Sequence, residues 1–191
     1  MNGLYALKPW YAARLAGVRG ALVRREVSPD TLTVLGVVCA GGAAAALAWL
    51  PAPLAVLPVA VLLAARLAFA NLDGALARDT GRTTPRGALL NELGDRAADL
   101  VVLAGFLTLA PLWLVALAAL GATLPSWVSL AGAAAGAPRR NGGPVGKTER
   151  VLLAVVAAAT GWAVPVLAVI AAGSALTALV RIGQLWKELG S

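Results

Sequence analysis

The stretch ANLDGALARDTGRTTPRGALLNELGDRAAD, residues 70–99, places charged side chains between two segments that are apolar enough to lie in lipid. Its acidic residues are Asp73, Asp79, Glu92, Asp95 and Asp99, and its basic residues are Arg78, Arg82, Arg86 and Arg96. Ionisable groups at membrane depth are costly, so they usually face the interior of a helix bundle or a water-filled cavity. The stretch therefore predicts a polar site where two membrane helices meet.

The composition around this stretch is that of an integral membrane protein. Of the 191 residues, 60% are hydrophobic and 13% are charged, and the mean hydropathy is +0.81, whereas soluble domains carry about 25% charged residues. The absence of histidine excludes imidazole chemistry, and the single Cys39 excludes an internal disulfide or a thiolate metal cluster. The net charge of +7 comes from short basic segments between apolar ones. This distribution is typical of contacts with anionic lipid headgroups and argues against nucleic-acid binding.

Six apolar stretches are long enough to cross a bilayer as helices. They lie at about 31–50, 53–73, 88–110, 112–136, 150–164 and 165–186, and a break around Trp162–Pro165 separates the last two. Their long Ala, Leu and Val runs lack the strict alternation of barrel strands. The sequence therefore predicts an all-α integral membrane protein with six transmembrane helices.

The basic residues alternate between connections in a way that predicts the orientation. They occur in the N-terminal segment, between the second and third spans, between the fourth and fifth, and at the C-terminal end, while the other three connections carry no charge. The positive-inside rule assigns the basic side to the cytoplasm, which places both termini and the charged stretch there. The Ala-, Gly-, Val- and Arg-rich composition is typical of GC-rich bacterial genomes and suggests a bacterial inner (cytoplasmic) membrane.

The N-terminal segment is too charged to cross the membrane. Residues 8–27, KPWYAARLAGVRGALVRREV, intersperse arginines with aromatic and aliphatic side chains. This pattern favours an amphipathic helix at the membrane surface, with a loosely ordered basic tail as the alternative. The chain is accordingly divided into an N-terminal interfacial segment, 1–28, and a transmembrane domain, 29–191.

The polar side chains of the charged stretch are predicted to share one pocket. Gly87, Asn91, Asp95 and Asp99 recur every four residues and form one stripe on the third span. The turn-forming residues of DTGRTTPRG, 79–87, make this span an antiparallel neighbour of the second, whose cytoplasmic end carries Asp73. Converging oxygen ligands favour Mg²⁺, Mn²⁺ or Ca²⁺, and a nearby arginine can hold a phosphate. Together they indicate a metal-assisted phosphoryl-group reaction on a substrate that enters from the cytoplasmic leaflet.

In this region the sequence resembles the CDP-alcohol phosphotransferase (CDP-alcohol phosphatidyltransferase) family of membrane enzymes. The family signature reads D-x-x-D-G-x-x-A-R-x8-G-x-x-x-D-x-x-x-D. Over residues 70–95 the chain matches it, with the spacer intact, at Asp73, Gly74, Ala77, Arg78, Gly87 and Asp95. The resemblance extends over nearly the whole chain, because six spans is also the family's number.

The resemblance implies an enzyme of phospholipid synthesis. It would transfer a phosphoalcohol (phosphatidyl-type) group from a CDP-alcohol, such as CDP-diacylglycerol, to an acceptor hydroxyl and release CMP. Asp95 would be the general base, as a carboxylate within hydrogen-bond reach of the hydroxyl can be. The CDP part would be held by Asp73, Gly74, Ala77, Arg78 and Gly87. A homodimer and a Mg²⁺ or Mn²⁺ cofactor are implied as well.

Two signature aspartates are replaced, the first by Ala70 and the third by Asn91. The metal ligands left would be Asp73, Asp95 and the amide oxygen of Asn91. Two anionic charges fewer predict weaker cation binding, so that one ion fits better than two.

Three alternatives remain open beside this interpretation. A register shifted by one turn would make Asp95 and Asp99 the final pair, at the cost of Gly87. The chain would alternatively be a catalytically impaired relative that binds nucleotide or lipid, or that partners an active enzyme. A small transporter is the weakest alternative, because the outer halves of the spans are almost wholly apolar.

The cytoplasmic connection 138–150, PRRNGGPVGKTER, is not a phosphate-binding P-loop, because GPVGK lacks the required spacing. By resemblance, Lys147 and Arg181, with Arg150 behind them, are candidates to hold the acceptor or its phosphate. Equally, these cations would follow the positive-inside rule and contact lipid phosphates.

Two further charges lie within the spans. We expect Asp99 to be structural, pairing with Arg96 or supporting the site from deeper in the helix. Arg66 is expected to face the bundle or to extend its charged end towards the membrane surface.

Overall fold

The computed structural model describes residues 8–190, and this part of the chain is helical without any β-strand. Its α-helices are α1 (Lys8–Arg14), α2 (Ala16–Arg24), α3 (Pro29–Trp49), α4 (Val56–Asp79), α5 (Pro85–Ala104), α6 (Leu112–Ala134), α7 (Lys147–Thr160) and α8 (Ala163–Leu189), with a 3₁₀ turn at Gly105–Thr108. The predicted all-helical class is confirmed.

Among the described residues, four helices are long and apolar enough to cross a membrane, namely α3, α4, α6 and α8. The helix α5 has 20 residues but carries the charges of the polar stretch. The helix α7 has 14 residues, which at about 1.5 Å per residue gives a length of about 21 Å, less than the roughly 30 Å of a bilayer's hydrocarbon core. Length and composition thus support four spans, and the predicted third (88–110) and fifth (150–164) crossings do not meet this criterion.

Local sequence signals set the helix boundaries next to the polar stretch. The helix α4 ends at Asp79 and α5 begins at Pro85, so the predicted turn connects them. Thr84 caps α5, because its hydroxyl accepts a hydrogen bond of 3.0 Å from the backbone N–H of Gly87. At the other break, Gly161 ends α7 in the left-handed conformation (φ +75°), as glycine often does.

The helices α3 to α8 alternate in direction. At one end of the bundle, Thr33 near the start of α3 contacts Asp73 near the end of α4, and Lys147 at the start of α7 contacts α5. At the opposite end, the hydroxyl of Thr108 donates to the carbonyl oxygen of Ala48. The basic connections therefore lie at one end of the bundle and the uncharged ones at the other.

The predicted surface segment is helical over most of its length. Helices α1 and α2 lie beside α4, where the hydroxyl of Tyr11 donates to the carbonyl oxygen of Ala64 at 3.2 Å. An ion pair of 3.0 Å joins Arg19 to Asp79 at the end of α4. The Arg19–Asp79 contact lies at the basic end of the bundle, whereas Ala64 lies closer to the start of α4. The position of the segment at a membrane surface stays a prediction, and residues 1–7 lie outside the described range.

Small residues allow the helices to approach closely. A Cβ atom on Gly105 would lie 2.7 Å from the Cα and carbonyl oxygen of Ala44, and one on Gly121 would lie 2.9 Å from the carbonyl oxygen of Ala171. The outer surface is apolar, and its exposed side chains include Trp49 and Trp113 near helix ends. This distribution fits a bundle surrounded by lipid, with aromatic side chains at the interfaces.

Candidate active site

The helices α4 and α5 bring Asp73 and Asp95 to the same cavity, which α3 closes on its third side. Its lining residues are Leu32, Thr33, Gly36, Val37, Arg66, Ala70, Asp73, Gly94, Asp95 and Ala98. Ala70 stands here in place of the first signature aspartate, so a methyl group faces the cavity where a carboxylate is missing. The cavity lies near the basic end of the bundle. Its acidic lining residues are Asp73 and Asp95.

Asp73 is held in place by neighbours on two helices. Its side chain is buried, with 4% of its surface exposed. The hydroxyl of Thr33 donates a 3.0 Å hydrogen bond to Asp73 Oδ2, and the backbone N–H of Gly74 approaches Asp73 Oδ1 to 2.5 Å. These two donors, one on each oxygen, fix the orientation of the carboxylate.

The remaining signature residues lie around the α4–α5 turn. Gly74 is half-buried, and a Cβ atom there would lie 3.4 Å from Nη1 of Arg78. Arg78 is exposed, and within residues 8–190 its guanidinium makes no hydrogen bond or ion pair. Gly87 lies at the start of α5, where a Cβ atom would be 3.5 Å from Asp30 Oδ1. Asn91 is half-buried one turn before Asp95 and does not line the cavity.

Asp95 forms an ion pair with Lys147 across the α5–α7 contact. The Nζ atom of Lys147 donates to Asp95 Oδ1 at 2.5 Å, whereas Asp95 Oδ2 lies 3.9 Å from Arg96. Burial lowers the pKa of Lys147, as does the positive charge of Arg66, while Asp95 and Asp99 raise it. Lys147, predicted as a phosphate or acceptor ligand, therefore lies directly beside the candidate base.

One turn deeper, Asp99 is the centre of a buried charged cluster. Arg66 donates to Asp99 Oδ1, and Arg150 donates to Asp99 Oδ2 at 2.7 Å. The expected partner Arg96 lies farther away, at 3.8 Å. Arg66 is 2% exposed and faces the bundle. Asp99 thereby joins α4, α5 and α7, a structural role that leaves little of Arg150 free for an acceptor.

Two more charged residues of the sequence analysis bind protein groups. Glu92 pairs with Arg139 at 2.6 Å and with Arg96 at 3.3 Å, and it does not line the cavity. Arg181 is buried and donates to the carbonyl oxygens of Pro125, at 2.6 Å, and Gly142, at 2.7 Å. Arg181 therefore ties the α6–α7 connection to α6 and α8.

Spacing alone did not reveal the Arg66–Asp99–Arg150 cluster. A signal was nevertheless present, because Arg66 precedes Ala70 by one helical turn and Asp99 follows Asp95 by one turn. Arg66 thus lies one turn deeper than the lost carboxylate at Ala70, and Asp99 lies two turns deeper than the one lost at Asn91, on the same helix faces.

The oxygen-bearing side chains of the site are of the type that binds hard divalent cations. Carboxylate and amide oxygens are the ligands that Mg²⁺ and Mn²⁺ prefer. Asp73 and Asp95 supply two carboxylates, and Asn91 carries an amide oxygen nearby on α5. Over residues 8–190, however, no three Asp, Glu, Cys or His side chains come together as a metal-binding group.

The chain belongs to the CDP-alcohol phosphatidyltransferase family, whose family model matches residues 26–182. This match confirms the resemblance first indicated by the signature. Of the signature positions, Ala70, Asp73 and Asp95 line the α4–α5 cavity.

Two related sequences illustrate the relationship. The inner membrane protein YnbA of Escherichia coli is 31% identical over 154 residues, which cover 78% of this chain and 76% of that protein. The phosphatidylinositol phosphate synthase of Streptomyces avermitilis is 31% identical over 192 residues, covering 87% of this chain and 75% of that protein. Both similarities extend well beyond the signature.

Solved structures of the phosphatidylinositol phosphate synthase of Mycobacterium tuberculosis share the fold. The structure with CDP-DAG bound superposes with a TM-score of 0.70 at 23% identity and covers 89% of this chain and 92% of that one. The complex with manganese and citrate gives a TM-score of 0.69 at 24% identity and covers 89% and 88%. The helical arrangement is therefore common to both proteins.

Proposed function

We propose that the chain transfers a phosphoalcohol group from a CDP-alcohol to an acceptor hydroxyl, with release of CMP, in membrane phospholipid synthesis. The observation that carries this proposal is the shared cavity of Asp73 and Asp95, in a chain of the CDP-alcohol phosphatidyltransferase family. CDP-diacylglycerol is the favoured donor, because a related synthase has been solved with CDP-DAG bound.

The CDP part would bind around the α4–α5 turn. Small residues at positions 74, 77 and 87 (Gly74, Ala77 and Gly87) leave space in this region, so that a nucleotide can approach the backbone. Arg78 is exposed and has no protein partner among the described residues, which leaves its guanidinium available for a phosphate. Asp73, oriented by Thr33, completes this group.

Asp95 would act as the general base. The acceptor oxygen attacks the phosphorus that bears the donor's alcohol, its proton passes to the Asp95 carboxylate, and the bond between this phosphorus and the oxygen of CMP breaks. The ion pair with Lys147 holds the Asp95 carboxylate in place. Lys147 would also attract the phosphate of a substrate, with Arg150 and Arg181 supporting the acceptor side through their contacts.

A divalent cation, Mg²⁺ or Mn²⁺, would be held by Asp73, Asp95 and the amide of Asn91. When bound, such an ion stabilises the negative charge that develops on the diphosphate. The manganese complex of the related synthase supports this choice of cofactor.

The proposed topology has six crossings, with α5 and α7 as the third and fifth. The alternating directions of α3 to α8 support it, since each helix has one end at the basic side. The site and both termini would then face the cytoplasm, α1 and α2 would lie on the inner surface of a bacterial cytoplasmic membrane, and two chains would form a homodimer.

The proposal is tested by CMP release from CDP-diacylglycerol. The purified chain is supplied with Mg²⁺ or Mn²⁺ and a panel of polyols and their phosphate esters. Asp95→Asn should abolish release, whereas Asp79→Asn, an exposed change at the end of α4, should leave it intact. No release from any CDP-alcohol across the panel, or equal release from both variants, would refute the assignment.

A catalytically impaired relative is the second candidate, and Ala70 and Asn91 are the reason for it. Such a chain would bind nucleotide or lipid, or assemble with an active partner. The double variant Ala70→Asp/Asn91→Asp separates the two functions. If the parent chain is inactive and the double variant gains a large turnover, the parent has lost its activity through these two replacements. If the parent chain is active and the double variant gains nothing, its active site is built differently from the signature.

A further inference from the structure

The ammonium group of Lys147 donates a hydrogen bond to one of the two carboxylate oxygens of Asp95. The Nζ–Oδ1 distance is 2.5 Å, and both side chains are only about a quarter exposed, at 25% and 26%. A metal ion that bound Asp95 through Oδ1 would therefore have to displace a fixed cation. The second oxygen, Oδ2, lies 3.9 Å from a guanidinium nitrogen of Arg96.

The floor of the same cavity is also positively charged. Arg66 lines it together with Ala70, Asp73 and Asp95, although its guanidinium pairs with Asp99. Among the described residues, the Nε–H group of Arg66 is buried without a hydrogen-bond partner. A donor of this kind attracts an anionic oxygen and repels a further cation.

The charges around the cavity are thus nearly balanced by side chains alone. Asp73, Asp95 and Asp99 carry three negative charges. The cations that line the cavity or pair with these carboxylates carry four positive charges, namely Lys147, Arg66, Arg96 and Arg150. A pair of divalent cations would add four positive charges to this group. The repulsion between these metal ions and the positively charged side chains is strong in a partly buried site.

We propose that Lys147 takes the place of a second divalent cation in this chain. One metal ion would be held by Asp73 and Asp95, and the Lys147 ammonium, paired with Asp95, would supply the positive charge that faces the diphosphate. The inference rests on the proposed function for the identity of the substrate, but its metal stoichiometry is measurable without one.

Binding of Mn²⁺ to the purified full chain, measured by electron paramagnetic resonance without nucleotide, tests this inference. The parent chain should bind at most one ion. Lys147→Met should tighten binding by about tenfold or more, because a unit positive charge leaves the ligand Asp95. Lys147→Arg, which keeps the charge, should behave like the parent. Lys187→Met removes an exposed lysine near the end of α8 and is the matched control.

Two Mn²⁺ ions per parent chain, or unchanged binding in Lys147→Met, would overturn the inference. Lys147→Gln is a second neutral variant if the methionine chain does not fold. CMP release is assayed in a separate experiment, so that the proposed function and the Lys147 inference can be refuted independently. A chain without transferase activity whose Mn²⁺ binding tightens in Lys147→Met refutes the function alone, and an active chain with two bound ions refutes the Lys147 inference alone.

Discussion

Arg150 donates a hydrogen bond of 2.7 Å to Asp99 Oδ2, although the two residues are 51 positions apart in the chain. This contact joins α7 to α5 in the bundle interior, and Arg66 extends it to α4. Both Arg150 and Asp99 are buried, at 9% exposure each. The contact therefore connects three helices just below the candidate active site.

Neutralising Asp99 should destabilise the bundle strongly. Asp99→Asn leaves Arg66 and Arg150 buried without a counter-charge, and removal of one partner from a buried ion pair costs about 3–5 kcal/mol. The measurement is the free energy of unfolding in detergent by chemical denaturation. Asp79→Asn removes an exposed carboxylate, and its effect should stay within about 0.5 kcal/mol. Equal losses in the two variants would contradict the structural role of Asp99.

The position of Asp73 depends on Thr33. Thr33→Val keeps the side-chain shape but removes the 3.0 Å hydrogen bond to Asp73 Oδ2. Since a hydrogen bond to a charged group contributes about 1.5–3 kcal/mol, CMP release should fall by roughly ten- to hundredfold in kcat/KM. Thr33→Ser retains the hydroxyl and should recover most of the activity. Activity that is equally low in the serine variant would mean that the threonine methyl, and not the hydroxyl, is the important group.

Local signals in the sequence were sufficient for the helices around the polar stretch. The Gly-, Thr- and Pro-containing turn between Asp79 and Gly87 and the break before Pro165 depend on backbone preferences of a few residues, and both occur in the structure. The length of α7 could not be predicted from local signals in the same way. Its predicted span included residues beyond Thr160, because hydropathy does not register that Gly161 ends the helix in a left-handed conformation.

The site was predictable to the extent that it depends on helix periodicity. The fixed spacing of Asp73 and Asp95 in an antiparallel helix pair was enough to expect a shared pocket, and both line one cavity. The partners of Asp95 and Asp99 come from α7, whose rotation and depth relative to α5 are not encoded in any local pattern. The Lys147 and Arg150 contacts therefore emerge only from the packed bundle.

Close packing at the 3₁₀ turn makes Gly105 intolerant of a side chain. In Gly105→Ala the new Cβ would lie 2.7 Å from backbone atoms of Ala44, which cannot move without displacing α3. Overpacking of this kind costs about 1–3 kcal/mol of unfolding free energy. Gly41→Ala, in the middle of α3 with no atom within 4 Å of the new Cβ, is the matched control. It should be neutral or stabilising by up to about 1 kcal/mol, because alanine favours helix. A Gly105→Ala chain as stable as the Gly41→Ala chain would show that α3 and the turn can separate.

Arg78 is the residue most open to a phosphate, since its guanidinium is exposed and makes no ion pair within the described part of the chain. Arg78→Gln should raise the KM for the CDP-alcohol by roughly ten- to hundredfold, the loss expected for one charge-assisted hydrogen bond. The unfolding free energy should change little, because no protein contact is removed. Arg86→Gln removes an exposed charge from the first turn of α5 and should leave the KM near the parent value. If both variants raised the KM equally, the effect would come from the general positive potential of the cytoplasmic face, and Arg78 would have no specific role in holding the donor's phosphates.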